Sequence, residues 1–443
     1  MRVMPASCIF GDKGPAAIVQ DDDPIEILAL LGICASQAFY SLVEVQLAAA
    51  DARPGGAAHS FEVGVIQRTP VPLMTREVKI QLASLARRAW YLKRCVDTCN
   101  EISHAYLLPA ALRSRQGNYD ELGAVKEIDH LQAEINTIAF DLYGFNQTIR
   151  SDPVQPYRSD GGALDDEDEE EATTNPEQNS ALLSWCVGVA FGRFDWRLAI
   201  GEREAPPEPD PFGPLPARSP GMLPDGAAPF HAHSGILVDA PGHPHDLPRL
   251  IEDVLATVGH PAPEDVRRWL QRDFFLQHLK QYSKSRRKAP IYWPLSTASG
   301  GYTLWLYYPA LTDQMLYTAA NDFVAPTLEE MSRVAGALRA RMDRSRDEER
   351  QLGQLQDLEA ELKELQDEIL RLAHKWKPNK DDGVQITAAP LWRLCRHRPW
   401  QTVLKETCET GEGRLRVGPP CHDLLAGPSA REMPHRQVVG DRP

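Results

Sequence analysis

The side chains best equipped for chemistry gather between Lys280 and Trp293, in the run KQYSKSRRKAPIYW. Lys280, Lys284, Arg286, Arg287 and Lys288 are closely spaced cations of the kind that neutralise phosphate oxygens, a contact that gives salt-dependent, sequence-blind affinity. Tyr282, Tyr292 and Trp293 lie among them and either stack on a base or pack a core. From Arg267 to Lys288 there are eight Lys/Arg against one acid, Asp273, a local charge of +7. The chain as a whole carries −14, which by itself argues against a nucleic-acid binder. Half of that total comes from one run of seven acids, Asp165 to Glu171, which reads as a solvated, self-repelling segment. Local charge is therefore the better guide.

A second arginine set, Arg193, Arg197 and Arg203, is interleaved with Phe194 and Trp196. Arginine forks grip guanine edges or phosphates. The competing reading, a structural pair with Asp195 beside buried aromatics, is favoured. His231, His233, His243 and His245 form two HxH pairs, a spacing that binds zinc from a strand. They fall in a Pro/Gly loop without a nearby cysteine, so no metal site is expected. Cys95 and Cys99 share a helix face with His104 beyond, which reads as core packing. The eight cysteines contain no CxxC, arguing against a zinc ribbon or a disulfide scaffold and fitting a reducing cytoplasm. No run of eighteen apolar residues and no secretion signal is present, so a cytoplasmic location without a membrane partner is expected.

The elements that must carry these residues predict an α+β, helix-rich fold. The 443 residues suffice for two or three domains. Residues 6–20 read as a strand, Ile25 to Ala50 as one apolar helix opened by Asp23-Pro24, and Ser60 to Pro72 as an alternating strand, giving a strand-helix-strand module over 1–75. Thr75 to Leu112 and Tyr119 to Tyr143 form a helical hairpin within 76–150. An acidic linker fills 151–179. Residues 180–325 form a mixed region with a short helix to Gly192, a Pro/Gly loop over 204–245, helices at Asp246 to Val258 and Pro263 to Gln281, and a small β-hairpin region around the turn at 296–301. A long helix, Pro326 to Lys375 within 326–405, carries a seam of Leu355, Leu358, Leu362, Leu365, Ile369 and Leu372 that calls for an antiparallel partner in the same chain.

Five segments together resemble the C-terminal half of large adenine-specific DNA methyltransferases, of the kind found in type IIG restriction–modification enzymes and BREX- or DISARM-like phage-defence systems. They are CIFGDKGPA (Cys8 to Ala16), SFEVGVIQRTPVP (Ser60 to Pro72), FGRFDWRLAIGE (Phe191 to Glu202), the run from Lys280 to Tyr308, and WKPNKDDGVQITAAPLWRL (Trp376 to Leu394). The resemblance implies a target-recognition role on double-stranded DNA, with Lys280, Lys284, Arg286, Arg287, Lys288, Tyr292, Arg193 and Arg197 as candidate contacts. It implies S-adenosylmethionine as the cofactor of the intact enzyme. This chain lacks the means to use it: no Gly-rich turn follows a first strand, and no Asn/Asp-Pro-Pro-aromatic segment is present to hold a flipped adenine. Asp210-Pro211-Phe212 has a single Pro, and FGDKG at 10–14 leads to Pro15 rather than to a helix. Catalysis by the chain alone is not expected.

The resemblance places a catalytic half before residue 2 and makes Ile9, Phe10, Ile18 and Val65 an exposed surface that half should cover. The alternative is a split enzyme whose catalytic half is a separate chain. A third reading, from another class, is a helical scaffold that binds partners through its leucine seam. Residues 406–443 read as an irregular tail, either a disordered one or an out-of-frame translation of what resembles the family's last helix.

Overall fold

The computed structural model of the chain describes residues 16–19, 21–51, 63–117, 119–145, 176–284 and 287–410. These residues divide into two compact units, 1–189 with 193–228 and 190–192 with 229–443. The fold is α+β and helix-rich, and the single three-stranded sheet lies in the second unit.

In the first unit the apolar stretch after Asp23 is two helices, α1 (Pro24–Cys34) and α2 (Gln37–Asp51). Asp23 caps α1 by accepting from the Ile25 amide at 3.0 Å. The break comes at Ser36: its hydroxyl donates to the Ile33 carbonyl at 2.6 Å and accepts from the Phe39 amide at 3.3 Å. One side chain thus serves the end of one helix and the start of the next.

Val63–Arg68 is a short helix, α3, and not the strand its alternation suggests. Among the described residues the first unit holds no strand for it to pair with, and an unpaired strand would leave its backbone groups without partners. A helix bonds to itself, and its end is tied down where Gln46 Nε2 donates to Thr69 Oγ1 at 2.7 Å. Residues 16–19 are not a strand either, so the strand-helix-strand module is replaced by three helices; the rest of the expected first strand lies outside the described residues.

The helical hairpin stands, with a shorter first arm: α4 (Arg76–Asp97), capped by Thr75, packs on α6 (Glu121–Tyr143), with α5 (Ala110–Arg113) between. Ile33, Phe39, Leu82, Ile135 and Phe140 close one core, where each fully buried large side chain contributes about 2 kcal/mol. Val65 belongs to that core and is not exposed. Ile18 is exposed as expected, while Ile9 and Phe10 lie outside the described residues. α7 (Pro176–Ala190) is the last α-helix of this unit among the described residues.

The second unit is built on an antiparallel sheet of β1 (Ile236–Asp239), β5 (Thr303–Tyr307) and β4 (Tyr292–Ser296), in the order β1-β5-β4. β1 arises inside the Pro/Gly stretch that the sequence reads as loop. It is entered through Gly235 at φ 89°, where a Cβ would sit 2.7 Å from Ala310 Cβ. After α8 (Leu247–Thr257) the expected helix over 263–281 is one helical path in three parts: α9 (Val266–Trp269), a π turn (Leu270–Phe274) and α10 (Phe275–Gln281). A two-stranded ribbon follows, β2 (Ser283–Lys284) with β3 (Arg287–Lys288).

The single long helix read over 326–375 is also corrected. After α11 (Met315–Thr318) and a π turn (Ala319–Val324), α12 (Ala325–Arg339) and α13 (Arg346–Ala373) pack against each other. The break is a capping box at Ser345, whose hydroxyl accepts from the Glu348 amide while Glu348 Oε2 accepts from the Ser345 amide at 2.9 Å. Leu362, Leu365, Ile369 and Leu372 are buried, so that part of the seam is filled within the chain. α14 (Val384–Ala388) and α15 (Arg398–Thr410) complete the described residues; the acidic run and all but the first five residues of the tail lie outside them.

Candidate nucleic-acid interface

The basic segment folds as the end of α10 plus the β2–β3 ribbon. Ser283 pairs with Lys288 and Lys284 with Arg287. Lys280, Lys284 and Arg287 are exposed, and Lys288 is half-buried. Arg286 lies outside the described residues. Among the described residues Lys280, Lys284, Arg287 and Lys288 form no ion pair with any carboxylate.

The base of the ribbon is fixed by His278 on α10. Its Nε2 accepts from the Ile291 amide at 2.9 Å and from the Tyr292 amide at 3.3 Å, so that nitrogen carries no proton. The Ala289 amide donates to the Tyr282 carbonyl at 3.0 Å, and Ser283 Oγ donates to the Leu279 carbonyl. Gln385 on α14 accepts from the Lys288 amide at 3.2 Å. Sequence reasoning missed both His278 and Gln385: neither stands in a motif that marks it as an anchor.

Other candidate residues are structural. Tyr292 is fully buried, stacked on Phe191 at 5.0 Å and on Tyr307 at 5.4 Å between ring centroids. It packs the core and has no face for a base. Trp293 is buried too, its indole N–H donating to the Pro290 carbonyl at 2.8 Å. Arg193 is enclosed with Glu101, donating to Oε1 at 2.8 Å, while Ser184 Oγ donates to Oε2 at 2.8 Å. Arg197 grips Asp195 through Nε at 2.7 Å, and Arg203 donates to the same carboxylate at 2.9 Å. Asp195 is wholly buried; burial pushes its pKa up, but the two guanidinium groups outweigh this and hold it below the ordinary value. Neither Arg193 nor Arg197 is placed to meet DNA; both are framework.

Arg267, counted in the basic stretch, is likewise spent. It donates to Asp239 and, at 2.7 Å, to Asp246. Gln271 Nε2 donates to the other Asp239 oxygen at 2.7 Å, and burial still raises the Asp239 pKa. In the turn at 296–301 Ser299 gives its amide and hydroxyl to Glu361 Oε2 at 3.1 and 2.6 Å.

The four histidines do come together. His231 Nε2 and His245 Nδ1 share a hydrogen bond of 2.7 Å, His233 Nδ1 accepts from the Gly235 amide, and His243 Nδ1 accepts from the His245 amide. These bonds occupy ring nitrogens that a metal would need, and among the described residues no group of three or more His, Cys, Asp or Glu is arranged to hold an ion. A cavity of about 410 Å³ beside His233, His243 and His245 is walled by Phe323 and Asp322. A groove of about 710 Å³ along α13 sets Glu364, Asp367 and Glu368 against Arg371, Arg393 and Arg396, so it favours neither sign of ligand. Cys95 and Cys99 are half-buried, and burial raises both thiols, which suits neither a nucleophile nor a ligand.

No protein-family model and no curated protein matches the chain. Among the described residues no single helix is long and apolar enough to cross a membrane.

Proposed function

We propose that the chain is the DNA-recognition part of an adenine-specific DNA methyltransferase from a restriction or phage-defence system, gripping duplex phosphates through the β2–β3 ribbon. The observation that carries the reading is a cluster of cations: Lys280, Lys284, Arg287 and Lys288 lie within nine residues of one another and, among the described residues, hold no carboxylate, whereas the other candidate arginines, Arg193 and Arg197, and Arg267 of the same basic stretch each hold one. Unpaired cations on a ribbon held by backbone hydrogen bonds are suited to contact phosphates without rearrangement. The methyltransferase assignment rests on the five segments quoted above. S-adenosylmethionine and the reacting groups belong to the rest of that enzyme, whether fused or separate, since this chain holds neither the Gly-rich turn nor the Pro-Pro segment.

Fluorescence anisotropy with a labelled duplex, across salt from about 50 to 200 mM, tests this. Binding should weaken linearly in log–log form. Lys284→Ala with Arg287→Ala should flatten the slope by about 0.9 for each phosphate contact removed, with no change in thermal midpoint. Absence of DNA binding, or a slope untouched by the pair, overturns the reading and leaves the helical scaffold, although that alternative has already lost the buried part of its seam to the chain's own packing.

A further inference from the structure

Two strands of two residues each do not hold a ribbon in place by themselves, since even a full isolated hairpin is marginal in water. Something outside the ribbon must fix β3. Its only described side-chain partner is Gln385, whose Oε1 accepts from the Lys288 amide at 3.2 Å. The same amide group donates from Nε2 to Thr407 Oγ1 on α15 at 2.8 Å, and Thr407 Oγ1 in turn donates to the Val403 carbonyl at 2.7 Å. One side chain therefore joins the backbone of β3 to a helix more than a hundred residues later in the chain. Gln385 also lies in the Trp376 to Leu394 segment, to which the DNA-contact reading assigns no cation.

From this chain of bonds we propose that Gln385 is the positioning residue of the basic ribbon: it touches no DNA, but sets where Lys284, Arg287 and Lys288 stand. This rests on the phosphate-binding reading above. Both ends of the carboxamide are needed. Gln385→Met keeps the length and removes acceptor and donor together, while Gln385→Glu keeps an acceptor for the Lys288 amide and removes only the donor to Thr407.

The test measures duplex binding and amide hydrogen exchange on the full chain. Gln385→Met should weaken DNA binding about tenfold, the scale of two lost partly buried hydrogen bonds. The salt slope should stay at the wild-type value, because no phosphate contact has been deleted. Faster exchange should be confined to β3 and residue 289. Gln385→Glu should fall between wild type and Gln385→Met in exchange at Lys288. A merely structural role would instead lower the melting midpoint and speed exchange across α14 and α15 alike. Wild-type protein that binds DNA, with Gln385→Met binding equally well or Lys288 equally protected, overturns the positioning role alone. Wild-type protein that binds no DNA overturns the proposed function, and the positioning role with it.

Discussion

His233 accepts a hydrogen bond from the Gly235 amide at 2.8 Å and packs edge-on against Phe191, and burial drives its pKa from 6.5 to about 4. Burial also lowers His231, His243 and His245, helped in the first two by the neighbouring His245. Arg249 opposes protonation of His231, while Asp253 and Asp246 favour protonation of His231 and His243 respectively. A folded pKa below the unfolded one means that the native state resists the proton. The stability involved is complete above pH 6.5 and drains as pH falls through the folded value near 4. Stability, and with it the melting midpoint, should therefore fall over that interval, by an amount on the order of 2–3 kcal/mol for His233. Asp195, held low, adds its own loss only below the ordinary carboxylate pKa of 3.8. His233→Asn places an amide oxygen where Nδ1 accepts and has no proton to gain. Its melting curve should be flatter over the same interval, and one that keeps the full wild-type pH slope would show that His233 is not responsible.

The same scale explains which candidate residues the sequence made legible. Asp195 stands two positions before Arg197, so that pairing was readable locally. Glu101 lies 92 residues from Arg193, and nothing near Arg193 announces it. Tyr292 was misassigned because every residue of β4 is buried, and a strand covered on both faces has no alternation from which to tell an inward ring from an outward one.

Among the elements, the capping box at Ser345 separates α12 from α13. Ser345-x-x-Glu348 is visible in the sequence, but the helix formers on either side run on through it, and a helix-forming composition alone does not mark where a helix turns back. The strand read over 60–72 failed for the opposite reason: alternation was present but, among the described residues of its unit, a partner strand was not, and only tertiary context supplies one. Ser345→Ala should cost about 1 kcal/mol through the lost cap. Leu362→Ala or Ile369→Ala, at fully buried positions in the seam, should cost about 2–5 kcal/mol. Chemical denaturation followed by circular dichroism compares the two. If Ser345→Ala destabilises as much as the core truncations, the turn is held by packing and not by its cap.

For the whole molecule the deciding quantity is charge, and here two scales compete. The ribbon attracts a polyanion within about a Debye length, near 10 Å at 0.1 M salt, while the net charge of −14 repels it at longer range when salt is low. Removing the seven acids from Asp165 to Glu171 by exchange for Gly and Ser would halve that net charge and leave every ribbon cation in place. At low salt the altered protein should associate with duplex DNA several-fold faster, since long-range repulsion acts mainly on encounter. Near 0.2 M salt the two proteins should converge, because screening removes the difference while the close contacts persist. Stopped-flow association at several salt concentrations measures this directly. An acceleration that survives high salt would mean that the acidic run competes with DNA for the ribbon at close range, and an absence of any acceleration would mean that the ribbon's local field alone governs approach.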